Sequence, residues 1–386
     1  RVTRVNDGFL PVSLWNIDLK TLIKVNNFEG LRLGFGGQTN SRLSKRFRFG
    51  GYTAYGTKDE DIKFGINTQY KVSKNKNTWL QLGYTDDIRE VAASPYLTDE
   101  RVYSLFEPRL VNIIFFFKEK SAYLRLQSRL MPRLLADFRA SYDQINTTSN
   151  YRFLQGDQAL DHYELNKFQA GFRWMPRSKF LLANQKITEV TKKSPFLSLQ
   201  LTQAFGGKNS IDDFNFTKIN FKANYVKNWY SGAKTDALLE TSLALGDVPL
   251  THAYHAYPNN PTKAKLIDRF SVAGVKSFET MFFNEFFSTQ QAFFHLKHQL
   301  RPFQISDAIQ PELVFISRHG IGDFENRENH RGIDFSTMNK GFNEVGIELN
   351  KVYAGFGLSF AYRYGAYHLP DFNDNLSFKF TFYFSI

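Results

Sequence analysis

Along much of this chain apolar and polar residues alternate one by one, the pattern of extended strands whose two faces meet different surroundings. In residues 122–130, Leu124, Leu126 and Leu130 share one face, and Tyr123, Arg125, Gln127 and Arg129 share the other. Ala136, Phe138, Ala140 and Tyr142 then alternate with Asp137, Arg139, Ser141 and Asp143. Met131-Pro132-Arg133 between the two runs is short enough for a tight turn. The same parity holds for Phe168, Ala170, Phe172 and Trp174, for Ile219, Phe221, Ala223 and Tyr225, and through residues 233–245. A helix, at about 100° per residue, would scatter these positions around its axis.

The last run is the most regular: Leu376, Phe378, Phe380, Phe382, Phe384 and Ile386 alternate with Ser377, Lys379, Thr381, Tyr383 and Ser385. On a soluble edge strand those apolar residues would invite aggregation, whereas against hydrocarbon they are satisfied. Further strands are expected at 30–38, 46–56, 61–72, 78–85, 109–118, 196–204, 290–300, 311–319, 344–350 and 352–364. The pattern predicts an all-β fold, a transmembrane antiparallel β-barrel of about sixteen strands over residues 30–386. Leu14, Ile17, Leu22 and Val25 fall near helical spacing, so residues 1–29 read as a periplasmic lead-in or short amphipathic helix. Residues 247–284, rich in Pro, Asn and His, read as one long loop, lying over the mouth or folded into the lumen as a plug.

Composition narrows this picture. The longest apolar run, residues 113–117, is far below the roughly 18 residues of a membrane-spanning helix. Aromatic residues nonetheless make up 16% of the 386 residues, with 40 Phe and 19 Tyr. A barrel accounts for both, with Phe facing lipid and Tyr or Trp in interfacial girdles around a polar lumen. Cysteine is absent, which removes disulfides and thiolate chemistry. The net charge of +12 is dispersed along the chain, so it suits lumen and rim positions and contact with lipid phosphates, not a nucleic-acid interface. The start at Arg1, without a signal-peptide pattern, reads as a mature or truncated product.

Candidate chemistry is sparse. His295 and His298 lie three apart in an expected strand and so face opposite sides, unsuited to one metal ion. His252 and His255 lie in the long loop with no evident third ligand. Asp86-Asp87, Asp212-Asp213 and Asp323 with Glu325 read as solvated loop acids, and no nucleophile elbow is present. The glycines of GFGG and GGY relieve crowding between strands, since no Lys follows at phosphate-loop spacing. No catalytic residue, cofactor site or metal site is assigned.

Three blocks carry a family resemblance: NNFEGLRLGFGG with RFGGYTAYGTKD, FSVAGVKSFETMFFNEFFS with QQAFFHLKHQ, and KGFNEVGIELNKVY with YRYGAYHLPDFNDN. They resemble outer-membrane barrels of unknown function, typical of the Bacteroidota, that follow a carboxypeptidase-regulatory-like domain. More remotely the order of blocks resembles the sixteen-stranded surface-antigen barrel of BamA-like assembly factors. That resemblance implies a lumen loop before the twelfth strand, here residues 270–284, with Arg269, Gly274, Lys276, Phe278 and Glu279 as its marked residues. The superfamily's Arg-Gly pair is missing from it. Glu279 and Arg269 are expected to anchor the loop to lumen charges such as Arg125, Arg139, Arg173 and Asp137. The C-terminal strand with Phe378, Phe380, Phe382, Phe384 and Ile386 resembles the signal handed to the barrel assembly machinery, with Ile where Phe is commonest.

The resulting expectation is a non-enzymatic outer-membrane barrel of a Gram-negative bacterium, a scaffold or accessory subunit of an envelope assembly or secretion complex. Its expected partners are outer-membrane lipid and lipopolysaccharide, the assembly machinery and other envelope proteins. A porin-like channel is the alternative, and a surface lipid-active enzyme ranks third.

Overall fold

A computed structural model describes residues 7–382 apart from 74–75, 104–108, 110–112, 114, 157, 184–185, 208–213, 262–270, 275, 307–308 and 354. Sixteen staves run up and down in one antiparallel meander. The first, β1, is built from Trp15–Asp18 and Ile23–Asn26, joined by a 3-10 turn at Leu19–Thr21. Then follow β2 (Gly30–Thr39), β3 (Phe47–Gly56), β4 (Ile62–Ser73), β5 (Thr78–Glu90), β6 (Phe116–Met131), β7 (Leu134–Thr147) and β8 (His162–Trp174). The second half comprises β9 (Phe196–Gly206), β10 (Asn215–Asn228), β11 (Lys234–Gly246), β12 (Gln290–Gln299), β13 (Glu312–Asp323), β14 (Met338–Tyr353), β15 (Phe356–Tyr364) and β16 (Leu376–Phe382).

The main sheet has 19 strand pieces. Two of them make β1, and Phe9–Val12 and Ser271–Val272 are short edge additions, which leaves sixteen staves. Among the described residues no ladder joins β16 to β1. Instead Phe9–Val12 pairs with the first half of β1, and Ser271–Val272 lies parallel to β16 in register Val272↔Phe380. Each addition gives partners to part of a strand edge that would otherwise stand open.

Trp15–Asp18 and Ile23–Asn26 form strand where helical spacing had pointed to a helix. Asp18 accepts the Lys20 amide at 3.0 Å, which favours a turn after four residues, and the ladder to β2 then holds both halves extended. Of the strand expected over 109–118, residues 110–112 and 114 lie outside the described residues, and residues 116–118 are the start of β6, which runs unbroken through 122–130. β1 is a stave that the alternation did not give. The glycines of β2 do relieve crowding: a Cβ on Gly37 would stand 2.2 Å from the Trp15 indole nitrogen.

Alternation decides the two faces. Ile66, Leu82, Leu124, Phe168, Phe315 and Phe360 are exposed on the outer surface, forming the apolar belt that a lipid-facing wall requires. Inward lie paired charges such as Arg125 with Asp137, Lys167 with Asp143, and Arg318 with Glu344. Phenylalanine is not confined to the belt, however. Phe117, Phe153, Phe214, Phe216, Phe287 and Phe324 gather with Leu250 and Tyr254 in a buried apolar cluster inside the end that carries the long loops.

Candidate functional site

Two chain segments occupy the space enclosed by the staves, and the inward residues hold both. The first follows β11. Glu279 accepts from the amide of Gly274 at 3.0 Å, the Ser277 hydroxyl at 2.7 Å and the Asn259 amide at 2.8 Å. Its remaining partner is Lys379 of β16, also at 2.8 Å. Burial raises the pKa of this carboxyl, but Lys379 and Arg318 outweigh it and hold it below its ordinary range. Thr280 donates its amide and hydroxyl to Glu344 of β14, each at 2.7 Å, and Arg318 of β13 binds the other oxygen of that carboxylate. Lys276 reaches Glu240 of β11 at 3.0 Å, and Glu285 binds Arg363 of β15 at 2.7 Å. Phe278 is fully buried among the rings of Phe293, His295 and Phe342.

Of the residues marked in the sequence, Gly274, Lys276, Phe278 and Glu279 therefore sit in one bonded unit. Arg269 lies outside the described residues, as do Phe384 and Ile386. The partners expected for Glu279 need correction, since Arg125, Arg139 and Arg173 stand on β6, β7 and β8 while Glu279 bonds to Lys379 on β16.

Arg125 and Arg173 instead serve a second segment, between β5 and β6, which the alternation pattern passed over. The Ala92 amide donates to the Thr251 carbonyl at 3.1 Å, so this segment starts against the first one at the long-loop end. Lower down, the Leu97 amide donates to Gln200 of β9 at 2.7 Å, and Arg125 of β6 donates to the Leu97 carbonyl at 2.9 Å. Asp99 then pairs with Lys222 of β10, and Glu100 with Arg173 of β8 at 3.2 Å and with Lys192 beyond the turn end of that stave. Arg101 reaches Asp18 in the first half of β1. These partners lie progressively nearer the short-turn end, so residues 92–101 run down the interior. Arg109, further along, is back at the long-loop end, paired with Glu90 and 3.2 Å from His255.

The histidines have separate surroundings. His255 meets Glu90 at 2.7 Å, whereas His252 packs against Phe117 and Phe216. His295 faces inward against Phe278, and His298 bonds to Thr235 at 2.9 Å. Asp86-Asp87, expected in a loop, lies inside β5, and Asp87 holds Arg32 at 2.7 Å and the Tyr52 hydroxyl at 2.5 Å. Asp212-Asp213 falls outside the described residues. The two segments leave a cavity of about 990 Å³ toward the short-turn end, lined by eight basic and three acidic side chains, Lys24, Arg48 and Asp87 among them.

A family model described as "Family of unknown function (DUF5686) C-terminal domain" matches residues 13–239, more than half the chain. The chain belongs to this family. Among solved structures it is similar to BamA from Haemophilus ducreyi lacking POTRA domains 1-3, with a TM-score of 0.52 and 11% identity over 93% of this chain and 68% of that one. It is also similar to CdiB from Escherichia coli, with a TM-score of 0.50 and 10% identity over 96% of this chain. It spans 62% of that CdiB chain. These likenesses establish the shared barrel fold. No curated protein sequence matches it.

Proposed function

We propose that this barrel is a non-enzymatic scaffold or accessory subunit of an envelope protein assembly or secretion complex in the outer membrane of a Gram-negative bacterium. The observation that carries this reading is the doubly occupied interior. A pore-forming wall of sixteen strands encloses an aqueous channel unless chain fills it. Here the segment after β11 bonds to β11, β14, β15 and β16, and the segment after β5 to β1, β6, β8, β9 and β10. An interior fastened on nearly every side acts as a plug, and the molecule then works through its outer surfaces and its ends.

The barrel likeness to BamA and CdiB supports the same class of role. The Bacteroidota setting, a carboxypeptidase-regulatory-like domain ahead of the barrel, and contacts with lipopolysaccharide and the assembly machinery belong to this reading through the family resemblance. The porin-like alternative rests on the cavity of about 990 Å³, which would form one half of a path across the wall.

Two experiments separate these readings. In planar bilayers the purified barrel should give small, intermittent currents, and large, stable, open ones overturn the plugged scaffold. Cross-linking in native membranes followed by purification should recover further envelope proteins, and recovery of the barrel alone counts against a subunit role.

A further inference from the structure

Another cavity, of about 340 Å³, lies beside the segment after β5, bounded by the inner faces of β6 to β10 on one side and by Lys24 of β1 and Arg32 of β2 on the other. One row of residues crosses its wall at a single level. Arg139 of β7 is directly opposite Gln169 of β8, Gln169 opposite Thr202 of β9, and Thr202 opposite Lys218 of β10. All four line the cavity. The row has a cation at each end, two neutral hydrogen-bonding groups between them, and no acid.

The nearby carboxylates are engaged elsewhere. Glu119 holds Arg89 at 3.0 Å and Lys167 at 3.7 Å, and Asp143 holds Lys167 at 2.8 Å. Glu29 serves Arg32 and Lys63, and Glu90 serves Arg109. Lys218 is only 5% exposed and has no acidic partner among the described residues, its ammonium lying 4.3 Å from the Tyr254 ring. Arg139 touches the Ser121 hydroxyl at 3.0 Å and the face of Tyr123, while its buried Nε has no hydrogen-bond partner. The third neighbouring cation, Lys167, is already matched by Asp143 and Glu119. A buried cation without a counter-charge, as Lys218 is, is costly, and a buried arginine Nε without an acceptor is an unsatisfied donor.

We propose that Arg139, Gln169, Thr202 and Lys218 form a binding site for a small phosphate-type oxyanion inside the barrel. Such an anion takes a point charge from lysine, a directed donor from the guanidinium, and hydrogen bonds from the Gln169 amide and Thr202 hydroxyl between them. The site is independent of the scaffold role, because it requires only the wall of β7 to β10 and the segment that covers it.

The test is calorimetric titration of the detergent-purified full chain at pH 7.5 with sodium phosphate, and separately with dihexanoyl phosphatidic acid, each against sodium chloride of equal ionic strength. Saturable binding of phosphate identifies a free ion, and saturable binding of the short-chain lipid alone identifies a headgroup. In either case K218M and R139Q should each weaken binding at least tenfold, and K234M on the exposed start of β11 should not. Wild-type heat-modifiability in gels shows that a variant is folded, and K218R should restore most of the affinity. A thermal scan gives an independent readout: phosphate should raise the midpoint of the wild type but not of K218M. No saturable binding of either probe, or binding that both K218M and R139Q leave within twofold, overturns the site.

Discussion

Glu279, in the segment after β11, accepts a 2.8 Å charge-assisted bond from Lys379 in β16, and both side chains are essentially buried. The pair ties an interior segment to the last stave, next to the point where Val272 adds to the open edge of that stave. Lys379 also donates to the Asn259 carbonyl, so one ammonium fastens two parts of the segment. Breaking one side of such a pair strands a buried charge. E279A should therefore cost about 3–5 kcal/mol, read as the urea midpoint of refolded protein in detergent. Removing both charges with E279Q and K379M should cost clearly less than the two single changes combined. Additive losses would mean that the two residues are not coupled.

The loops after β7 and β13 meet at His330, which is 8% exposed and receives or donates a 2.9 Å bond with the Tyr151 hydroxyl. Burial pushes its imidazole down to about 4. Because the folded value lies below the ordinary 6.5, protonation favours the opened loops. The stabilisation is thus complete above about pH 6.5 and lost as pH falls toward 4, by about 3 kcal/mol at most. Hydrogen exchange in residues 148–156 and 324–337 should accelerate between pH 7 and 4.5 after correction for intrinsic rates. In H330Q that extra acceleration should vanish, and equal pH responses in the two proteins would remove His330 as the cause.

How legible this was depends on which environment each side chain meets. Where a stave separates lipid from a wet interior, as in residues 122–130 and 376–382, each residue carries the sign of its face and the alternation reads directly. At β1 the signal failed because Leu14, Ile17, Leu22 and Val25 also satisfy helical spacing, and a three-residue turn interrupts the parity. The descending segment 92–101 left no trace of that kind. Its partners are Gln200, Arg125, Lys222 and Arg173, so its own composition is polar and mixed, indistinguishable from an outer loop. Phe117, Phe214 and Phe216 misled in the other sense, since they pack inside the long-loop end and not in a lipid belt. Lys379 was visible only as a polar residue opposite a row of Phe, because its bond to Glu279 spans 100 residues of chain.

The outer wall offers a control for membrane depth. Phe360, midway along β15, is 54% exposed and packs against Phe378 of β16, with ring centroids 4.8 Å apart. An arginine there would face hydrocarbon near the midplane, so F360R should destabilise the barrel by about 2–4 kcal/mol in lipid vesicles. F372R, at the exposed Phe372 in the turn before β16, should cost under about 1 kcal/mol because it lies beyond the apolar core. Equal losses at the two positions would argue that the outer face is not lipid-bound.

The lower end of the descending segment is held largely by charged side chains, which makes it the place where the interior can be loosened without unfolding the wall. Asp99 and Glu100 are each about two-fifths exposed, so their pairs with Lys222, Arg173 and Lys192 add little to global stability, on the order of 1 kcal/mol or less. Locally they matter more, because above them Leu97 is held through Gln200 and Arg125. The chain lacks cysteine, so L97C provides a single reporter in the interior. Adding D99N and E100Q to L97C should raise its reaction rate with a small maleimide at least fivefold, with the urea midpoint nearly unchanged. Raising salt to about 1 M, where screening acts over roughly 3 Å, should speed the L97C parent and leave the triple variant almost unaffected. If the parent already reacts as fast as a surface thiol, residues 92–101 do not line a protected interior, and the plugged lumen fails with them.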